Sequence, residues 1–467
     1  MRLCDPADLH GIHERVPQQA LPAQQGPGRY SSVGALTMRR LGALLRSDTA
    51  ALMLANLAAA LLGIITGVIA ARALGPTARG ELAVVIFWPA LIATIVEFGV
   101  PDALTLRVSR DPSNAGAYAS SAYILAGGAA AVGAVGGGLL LPLVLRDDQA
   151  HLLPLTRAAM SYIPLSSLSG VPLGLLLGLQ RFRLVATVRV ATALLYTVGL
   201  IAAVALGRTS VQDLTLVTVA ARGLPLVLAL PFARTPWRSP LHHSHIGPQA
   251  RMGASLHGAR LAAVIGASED RLLASVFMIA HSIGLWQVAS AIAVVMQFIS
   301  QAFGQKLYAS SASSDASAAA DSLLKAYLRS VVFTAICAAA AWPALPLLVS
   351  LLYGPEFSAA ASAGRIVLAG TVLAAGAVAL QAGARAALRT WVCVGSELLG
   401  GLGMAAAAYV FNRPLEPSAL ALAYLLGRAA VLVILVGAAR IHTGLPARAF
   451  VPSPQRIMWA LRRGSGE

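Results

Sequence analysis

Long apolar runs without charge constrain this chain more than any other feature. Residues 112–145 and 272–305 each form a run of 34 residues with no Asp, Glu, Lys or Arg. About 20 apolar residues are enough for a helix to cross a bilayer. Charged residues make up only 12% of the chain, against about 25% in a soluble domain. The sequence therefore predicts an all-α, polytopic membrane protein and excludes a soluble globular fold.

The pattern of apolar runs and polar breaks predicts about twelve membrane-spanning helices. The predicted spans are 50–73, 81–106, 117–145, 155–180, 184–207, 213–233, 256–281, 284–307, 327–352, 362–384, 390–411 and 418–439. If the N-terminus is inside, the inside segments from residue 38 onward carry 20 Lys and Arg residues and the outside segments carry six. Because cytoplasmic loops are enriched in Lys and Arg, this bias predicts that both termini are cytoplasmic.

The net charge of +16 is accounted for by these topology-setting residues, so we predict membrane lipids as partners and no nucleic acid. The three cysteines, Cys4, Cys337 and Cys393, lie in a polar tail and two apolar runs, which indicates neither a disulfide framework nor a metal site. The phosphate-binding motif Gly-x4-Gly-Lys-Ser/Thr is missing from the sequence, so we predict no ATP site of that type and no cofactor.

An internal duplication is indicated when the two halves are compared at a shift of about 205 residues. The matching pairs are Gly80 and Gly284, Phe98-Gly99 and Phe303-Gly304, Arg222 and Arg428, and Arg234 and Arg440. A repeat unit with an even number of helices predicts two six-helix lobes in the same orientation, related by a pseudo-two-fold axis along the membrane normal, with the substrate site between them.

These observations predict five regions of the chain. They are a disordered cytoplasmic tail over 1–48, an N-lobe over 49–233, a cytoplasmic linker over 234–255, a C-lobe over 256–440 and a basic cytoplasmic tail over 441–467. Residues 1–37 lack apolar periodicity and the continuous apolar segment of a secretory signal. Met38, followed by two arginines, is an equally good start for the protein.

Three motifs in these spans resemble those of bacterial oligosaccharide flippases. The first span ends in Ala71-Arg72-Ala73-Leu74-Gly75-Pro76 with Gly80 following, and the second half contains Gly284-Leu285-Trp286-Gln287-Val288-Ala289 and Leu352-Tyr353-Gly354-Pro355-Glu356-Phe357. Their order over residues 50–440 is similar to that of the polysaccharide-biosynthesis transporters of the multidrug/oligosaccharidyl-lipid/polysaccharide (MOP) superfamily, although Trp286 replaces the usual Tyr. Read physically, Gly75-Pro76 and Tyr353-Gly354-Pro355 are helix terminators.

The resemblance implies a flippase of the bacterial plasma membrane that moves a polyprenyl-pyrophosphate-linked oligosaccharide to the outer leaflet by alternating access, for surface polysaccharide biosynthesis. It implies partners among the polymerase and glycosyltransferases of the same pathway. The predicted outer loops are too short for a glycosyltransferase site, so we predict that the protein is not an enzyme. The alternatives are a drug or metabolite exporter of the same fold, which the 6% aromatic content disfavours, a membrane-embedded polymerase or ligase, and a non-transporting scaffold.

Charged residues inside the spans are the candidates for function, because an ionisable group in the bilayer usually faces a cavity or a partner. Arg260 and Arg271 lie 11 residues apart in span 7, within about 20° of one helix face. We expect this two-rung ladder to run from the inner mouth to mid-membrane, because guanidinium groups pair well with phosphate oxygens. The candidate substrate-binding charges are Arg222, Arg260, Asp270, Arg271 and Arg428, and the candidate ion-coupling carboxylates are Glu97, Asp102 and Glu397. For each of them, a structural ion pair or extension to the membrane surface is the alternative.

Overall fold

The computed structural model describes residues 48–232, 243–291, 294, 296, 316–386, 390–411 and 415–461. These residues are almost entirely helical and contain no strand. The helices are α1 (Asp48–Val96), α2 (Val100–Arg110), α3 (Ala115–Val144), α4 (Leu153–Ala159), α5 (Tyr162–Gly178), α6 (Phe182–Ala205), α7 (Val211–Ala229), α8 (Ile246–Phe277), α9 (280–291), α10 (Ala316–Tyr353), α11 (Ala360–Ala386), α12 (Thr390–Val410), α13 (Pro417–Thr443) and α14 (Pro454–Leu461).

Nine runs within the described residues are long and apolar enough to cross a membrane. One of them, Ala51–Val96, is divided by Gly75, whose φ of 71° and ψ of 176° are not helical. Glycine adopts this conformation without a Cβ clash, so the prediction of a helix stop at Gly75-Pro76 is confirmed. With α1 counted as two spans, and with α8 and α9 in the places of predicted spans 7 and 8, the all-α polytopic fold agrees with the prediction.

Two predicted spans are interrupted. The predicted span 81–106 breaks between α1 and α2, where Phe98 and Gly99 both have left-handed φ values of 47° and 61°. The predicted span 155–180 contains a mild break between α4 and α5, where Met160 and Ser161 keep right-handed helical φ and ψ values, and Asp147–Gly178 remains one candidate span. The prediction of one continuous helix over 81–106 is wrong, because a uniformly apolar sequence hides the turn at Phe98 and Gly99.

The helix α8 begins at Ile246, ten residues before the predicted span 7. Residues 246–255 are therefore helical rather than part of an irregular linker. Pro248 is tolerated there because the first turn of a helix needs no backbone N–H donor. The predicted tail 1–48 lies outside the described residues except for Asp48, as do residues 233–242 of the predicted linker.

Within the N-lobe, α2 and α5 pack closely through a row of small residues. Gly170, Gly174 and Gly178 recur every four residues, so they lie on one face of α5. A Cβ at Gly174 would lie 2.7 Å from the carbonyl oxygen of Pro101, and one at Gly178 would lie 2.7 Å from Cβ of Val108. Small residues permit this backbone approach, which stabilises helix pairs in membranes by van der Waals contact.

The two ends of the helices define two sides of the molecule. We call the side where α7 ends and α8 begins the linker side, and the side where α8 and α10 end, at Phe277 and Tyr353, the far side. Helices α1–α7 form the N-lobe and α8–α13 the C-lobe. The helix α8 contacts α2 and α3 of the N-lobe as well as α12 and α13 of its own lobe, so it lies between the lobes.

Candidate functional site

The helix α8 presents two opposite faces to the two lobes. Gly253 faces the N-lobe, because a Cβ there would lie 2.5 Å from the carbonyl oxygen of Phe98. Arg271 follows Gly253 by 18 residues, which is about five full helical turns and so the same direction, about 27 Å further along. Glu269 precedes Arg271 by two residues and therefore points about 160° away, towards the C-lobe.

Arg271 is exposed on the α8 face that contacts the N-lobe at the linker side. Its exposure shows that this face of α8 is not packed against the N-lobe at the level of Arg271. Arg271 lies six residues, or about 9 Å at 1.5 Å per residue, before the far-side end of α8. The ladder of Arg260 and Arg271 therefore ends closer to the far side than the mid-membrane position that we expected from the sequence. The indole of Trp286 donates a hydrogen bond of 3.2 Å to the neighbouring Asp270.

The opposite face of α8 takes part in a buried ion-pair network in the C-lobe. Arg428 of α13 pairs with Glu269 of α8 and, over 3.0 Å, with Glu397 of α12. Gln381 of α11 donates a hydrogen bond of 2.6 Å to Glu397. The network joins four helices of the C-lobe, and only 9% of Arg428 is exposed.

The predicted substrate contact Arg428 is engaged by this network. Its terminal guanidinium nitrogens bind two carboxylates and the carbonyl oxygen of Gly266 at 3.2 Å, so a contact with substrate stays a prediction that requires the network to rearrange. Arg222, its counterpart in the repeat, has a different environment. Its guanidinium carbon lies 4.9 Å from the ring centre of Tyr162, a distance typical of a cation–π contact.

The remaining predicted site residues are spread over the linker half of the molecule. Glu97 lies at the α1–α2 turn beside α5, where one of its carboxylate oxygens is 3.4 Å from the position of a Cβ on Gly170. Asp102 is exposed in the first turn of α2. Arg260 lies on α8, but its side chain is outside the described part of the structure. Among the described residues, no group of His, Cys, Asp and Glu could hold a metal ion.

On the far side, the lobes meet through a reciprocal contact between equivalent positions of the repeat. A Cβ at Gly80 would clash with the carbonyl oxygen of Ala280, and a Cβ at Gly284 would clash with that of Pro76. The hydroxyl of Thr77 lies 3.4 Å from the ring nitrogen Nδ1 of His281. These two residues are 204 positions apart in the sequence, as are Gly80 and Gly284. Such reciprocity is what a two-fold axis produces at an interface.

Two of the sequence motifs also meet on the far side. Arg72, from the first motif, donates hydrogen bonds to the carbonyl oxygens of Leu351 and Leu352, which belong to the last turn of α10. The confirmed terminator Gly354 follows, with a φ of 109°. A cation at a helix C-terminus satisfies unpaired carbonyl groups and complements the helix dipole, so Arg72 of the N-lobe caps a helix of the C-lobe.

The linker side is closed by a second set of contacts. A Cβ at Gly99 would lie 2.6 Å from the carbonyl oxygen of Gly253. The ring of His257 stacks on Phe98 with centroids 5.6 Å apart, and its Nε2 donates a 3.0 Å hydrogen bond to the carbonyl of Ile95. Contacts therefore join the lobes above and below the level of Arg271.

A polar cluster supports this closure at the start of α3. Arg107 donates a hydrogen bond of 3.0 Å to the carbonyl oxygen of His245 and lies 4.1 Å from the ring centre of Tyr118. Hydrogen bonds from Ser113, Asn114 and Tyr118 hold the pKa of Asp111 well below its usual range. Asp111 is therefore ionised at neutral pH and fixes the turn from which Tyr118 contacts Arg107.

The far-side contact leads to a direct prediction. Replacing Gly80 with Val should force the lobes apart, because no room exists for a Cβ against Ala280. In a cysteine-free background, oxidative cross-linking between Thr77→Cys and His281→Cys should fall at least about fivefold, as overpacking typically costs about 1–3 kcal/mol. Gly63→Val is the matched control on α1, since nothing lies within 4 Å of its Cβ position. Undiminished cross-linking in Gly80→Val would show that the lobes do not close through this glycine.

Two solved structures with a similar arrangement are those of membrane transporters. The lipid II flippase MurJ in an inward closed conformation superposes with a TM-score of 0.70 at 11% identity, over 88% of this chain and 90% of that chain. An inward-facing multidrug resistance MATE family transporter of the MOP superfamily superposes with a TM-score of 0.64 at 15% identity, over 84% of this chain and 94% of that chain. The chain therefore shares the fold of these two transporters, with about twelve helices in two lobes.

The profile of the family described as polysaccharide biosynthesis protein matches residues 45–308, which is more than half of the chain. The chain belongs to this family, as the three motifs predicted. No curated protein sequence matches the chain.

Proposed function

We propose that the protein is a flippase that moves a polyprenyl-pyrophosphate-linked oligosaccharide from the cytoplasmic to the outer leaflet. The observation that carries this proposal is Arg271, an exposed cation on the α8 face directed towards the N-lobe, with interlobe contacts on both sides of it. A guanidinium offers paired donors to phosphate oxygens. A charged side chain within the membrane is unfavourable in free energy, so its presence suggests a function. Passage of an anionic headgroup between the lobes would provide one.

The closing contacts support alternating access as the mechanism. The linker-side contact at Gly99 and Gly253 and the far-side contact at Gly80 and Gly284 are separate sets of atoms, so either can open while the other holds. Arg260 and Arg271 lie on one face of α8 and would meet the pyrophosphate in succession as it moves from the linker side. Asp270 lies beside Arg271 and would limit how tightly the anion is held.

The ion-coupling role remains a proposal for Glu97 and Asp102, both of which lie near the linker-side contact. Glu397 is engaged by Arg428 and Gln381, so its participation would require the network to rearrange. Arg222 stays a proposed substrate contact, because a cation–π contact with Tyr162 does not itself use the N–H donors in the plane of the guanidinium.

Transport in liposomes tests the proposal. The purified chain is reconstituted with a fluorescent polyprenyl-pyrophosphate-linked oligosaccharide, and an external reductant reports how much of it reaches the outer leaflet. Protein-dependent movement is expected. Accumulation of a cationic dye without lipid movement would favour the drug exporter, and a change in glycan length would favour the polymerase or ligase.

The same proposal fixes the orientation. We place the protein in the bacterial plasma membrane with the linker side, the predicted linker and both termini in the cytoplasm, where it would meet glycosyltransferases of the pathway before a polymerase acts outside.

Cysteine labelling in intact cells checks this topology. In a background lacking Cys4, Cys337 and Cys393, an impermeant reagent should label Ser358→Cys on the far side and leave Ser244→Cys unlabelled, although both residues are exposed. Lysed cells provide the control, since both positions should then react. Labelling of Ser244→Cys in intact cells would reverse the orientation.

A further inference from the structure

The end of the chain forms a strap on the linker side of the C-lobe. We define the C-terminal strap as residues 444–461, which follow α13 and include a 3-10 turn at Ala447–Phe450 and the helix α14. Phe450 is buried and packs edge-on against Tyr327 of α10 with ring centroids 5.6 Å apart. Arg329 of α10 donates a 2.6 Å hydrogen bond to the carbonyl oxygen of Ala460. The predicted basic tail is therefore folded against the lobe over these residues.

The strap lies at the level of the membrane surface. It begins directly where the apolar helix α13 ends, and it packs on the first turns of the long run Ala320–Tyr353. That run is about 51 Å long at 1.5 Å per residue, against about 30 Å for the hydrocarbon core. All the charged residues of this run, Asp321, Lys325 and Arg329, lie within its first ten residues, so we place these turns, and the strap upon them, beside the headgroups.

The outward face of the strap is apolar. Met458 is 60% exposed and Trp459 is 36% exposed, while the adjacent Ala460 is buried. The ring of Trp459 lies 5.1 Å from the ammonium group of Lys325. A tryptophan with one side towards apolar surroundings and the other towards polar groups is typical of the membrane interface.

The charges around this apolar face are almost all positive. No Asp or Glu occurs between Pro417 and Ala460, whereas Arg440, Arg448 and Arg456 do. Arg456 is used internally, because it donates to the carbonyl oxygens of Arg448 and Val451, and so it fixes the strap. Arg448 is exposed. From α10, the neighbouring charges are Lys325, Arg329 and the exposed Asp321, so the cations outnumber the acid.

We propose that the C-terminal strap binds anionic phospholipid headgroups, with Met458 and Trp459 inserted at the boundary of the acyl chains and Arg448 paired with lipid phosphate. Basic residues with large apolar side chains beside them are what interfacial segments use to bind such membranes. This binding fixes the C-lobe, through α10, to the membrane surface. It requires no particular transported substrate and is independent of the proposed flippase activity.

The test uses the full chain in nanodiscs. In the cysteine-free background, Met458→Cys carries a polarity-sensitive dye, and nanodiscs contain phosphatidylcholine with increasing phosphatidylglycerol. The emission should shift to shorter wavelength as phosphatidylglycerol increases, and about 1 M salt should reverse the shift because it reduces the screening length to about 3 Å. Arg448→Gln should need about fivefold more phosphatidylglycerol, which corresponds to the contribution of about 1 kcal/mol per basic residue.

A dye at Ser358→Cys, on the opposite end of α10, is the matched control and should report no dependence on phosphatidylglycerol. Equal emission from Met458→Cys in both lipids would overturn the proposal. A shift in native membranes that is not reproduced in nanodiscs of either lipid composition would show that a protein covers this face. That result would also overturn the proposal.

Discussion

Replacing Arg271 with Ala is expected to abolish movement of the lipid-linked oligosaccharide while the amount of protein in the membrane stays the same. Each hydrogen bond to a charged group contributes about 1.5–3 kcal/mol, so the loss should be at least about tenfold in the liposome assay. Arg271→Lys should restore only part of the rate, because an ammonium group lacks the paired donors of a guanidinium.

The control for this prediction addresses Asp270, which lies next to Arg271 and accepts a hydrogen bond from Trp286. If Arg271 only neutralises Asp270, the double variant Arg271→Ala/Asp270→Asn should transport normally, and the substrate role would be withdrawn. Arg365→Ala is the matched control for loss of a cation from a span. Its side chain donates a 3.3 Å hydrogen bond to the carbonyl oxygen of Trp342, and its removal should leave transport near the wild-type rate.

Replacing Arg428 with Ala should produce the largest loss of stability. It leaves Glu269 and Glu397 as unpaired carboxylates in a site where their side chains are only 10% and 16% exposed. Breaking a buried ion pair by removing one partner costs about 3–5 kcal/mol. The midpoint of thermal unfolding in detergent should fall accordingly, with a parallel loss of folded protein in the membrane.

Two further variants separate charge from packing in this network. Arg222→Ala removes the repeat-related arginine, which has the ring of Tyr162 beside it rather than two carboxylates, and should destabilise the fold less. The triple variant Arg428→Met/Glu269→Gln/Glu397→Gln should recover most of the stability, because replacing all the charges of a buried network is often neutral. Equal unfolding midpoints for Arg428→Ala and Arg222→Ala would contradict the importance of the ion pairs.

Local sequence patterns predicted the helices and the repeat because both depend on periodicity and spacing. Gly75 and Gly354 end helices where the motifs predicted. The break at Phe98 and Gly99 was missed because its cause is the backbone of Gly253, 154 residues further along the chain, and an apolar run carries no record of that contact. The early start of α8 was missed because Pro248, which marks a linker in most contexts, is also compatible with a first helical turn.

The sequence identified the charged residues of the candidate site, but it did not show which residues contact one another. Glu269 follows Arg260 by nine residues in the sequence, which is a half turn from the face of the ladder. That Glu269 meets Arg428 follows only from the packing of α8 against α13, which brings together residues 159 positions apart. Gln381 carried no signal at all, since an uncharged amide in an apolar helix becomes notable only when its acceptor, Glu397, is known. The capping of α10 by Arg72 was hidden for the same reason.

The glycine contacts that close the two sides of the molecule separate gating from recognition. The lobes meet through main-chain atoms at four glycines, Gly80, Gly99, Gly253 and Gly284. These main-chain contacts do not depend on the side chains elsewhere between the lobes. If the proposed passage beside Arg271 carries the substrate, substitutions around it would change the preferred substrate without disturbing these contacts. Under the proposed function, the residues beside Arg271, rather than the glycines at the two contacts, would then be the place to engineer a new substrate preference.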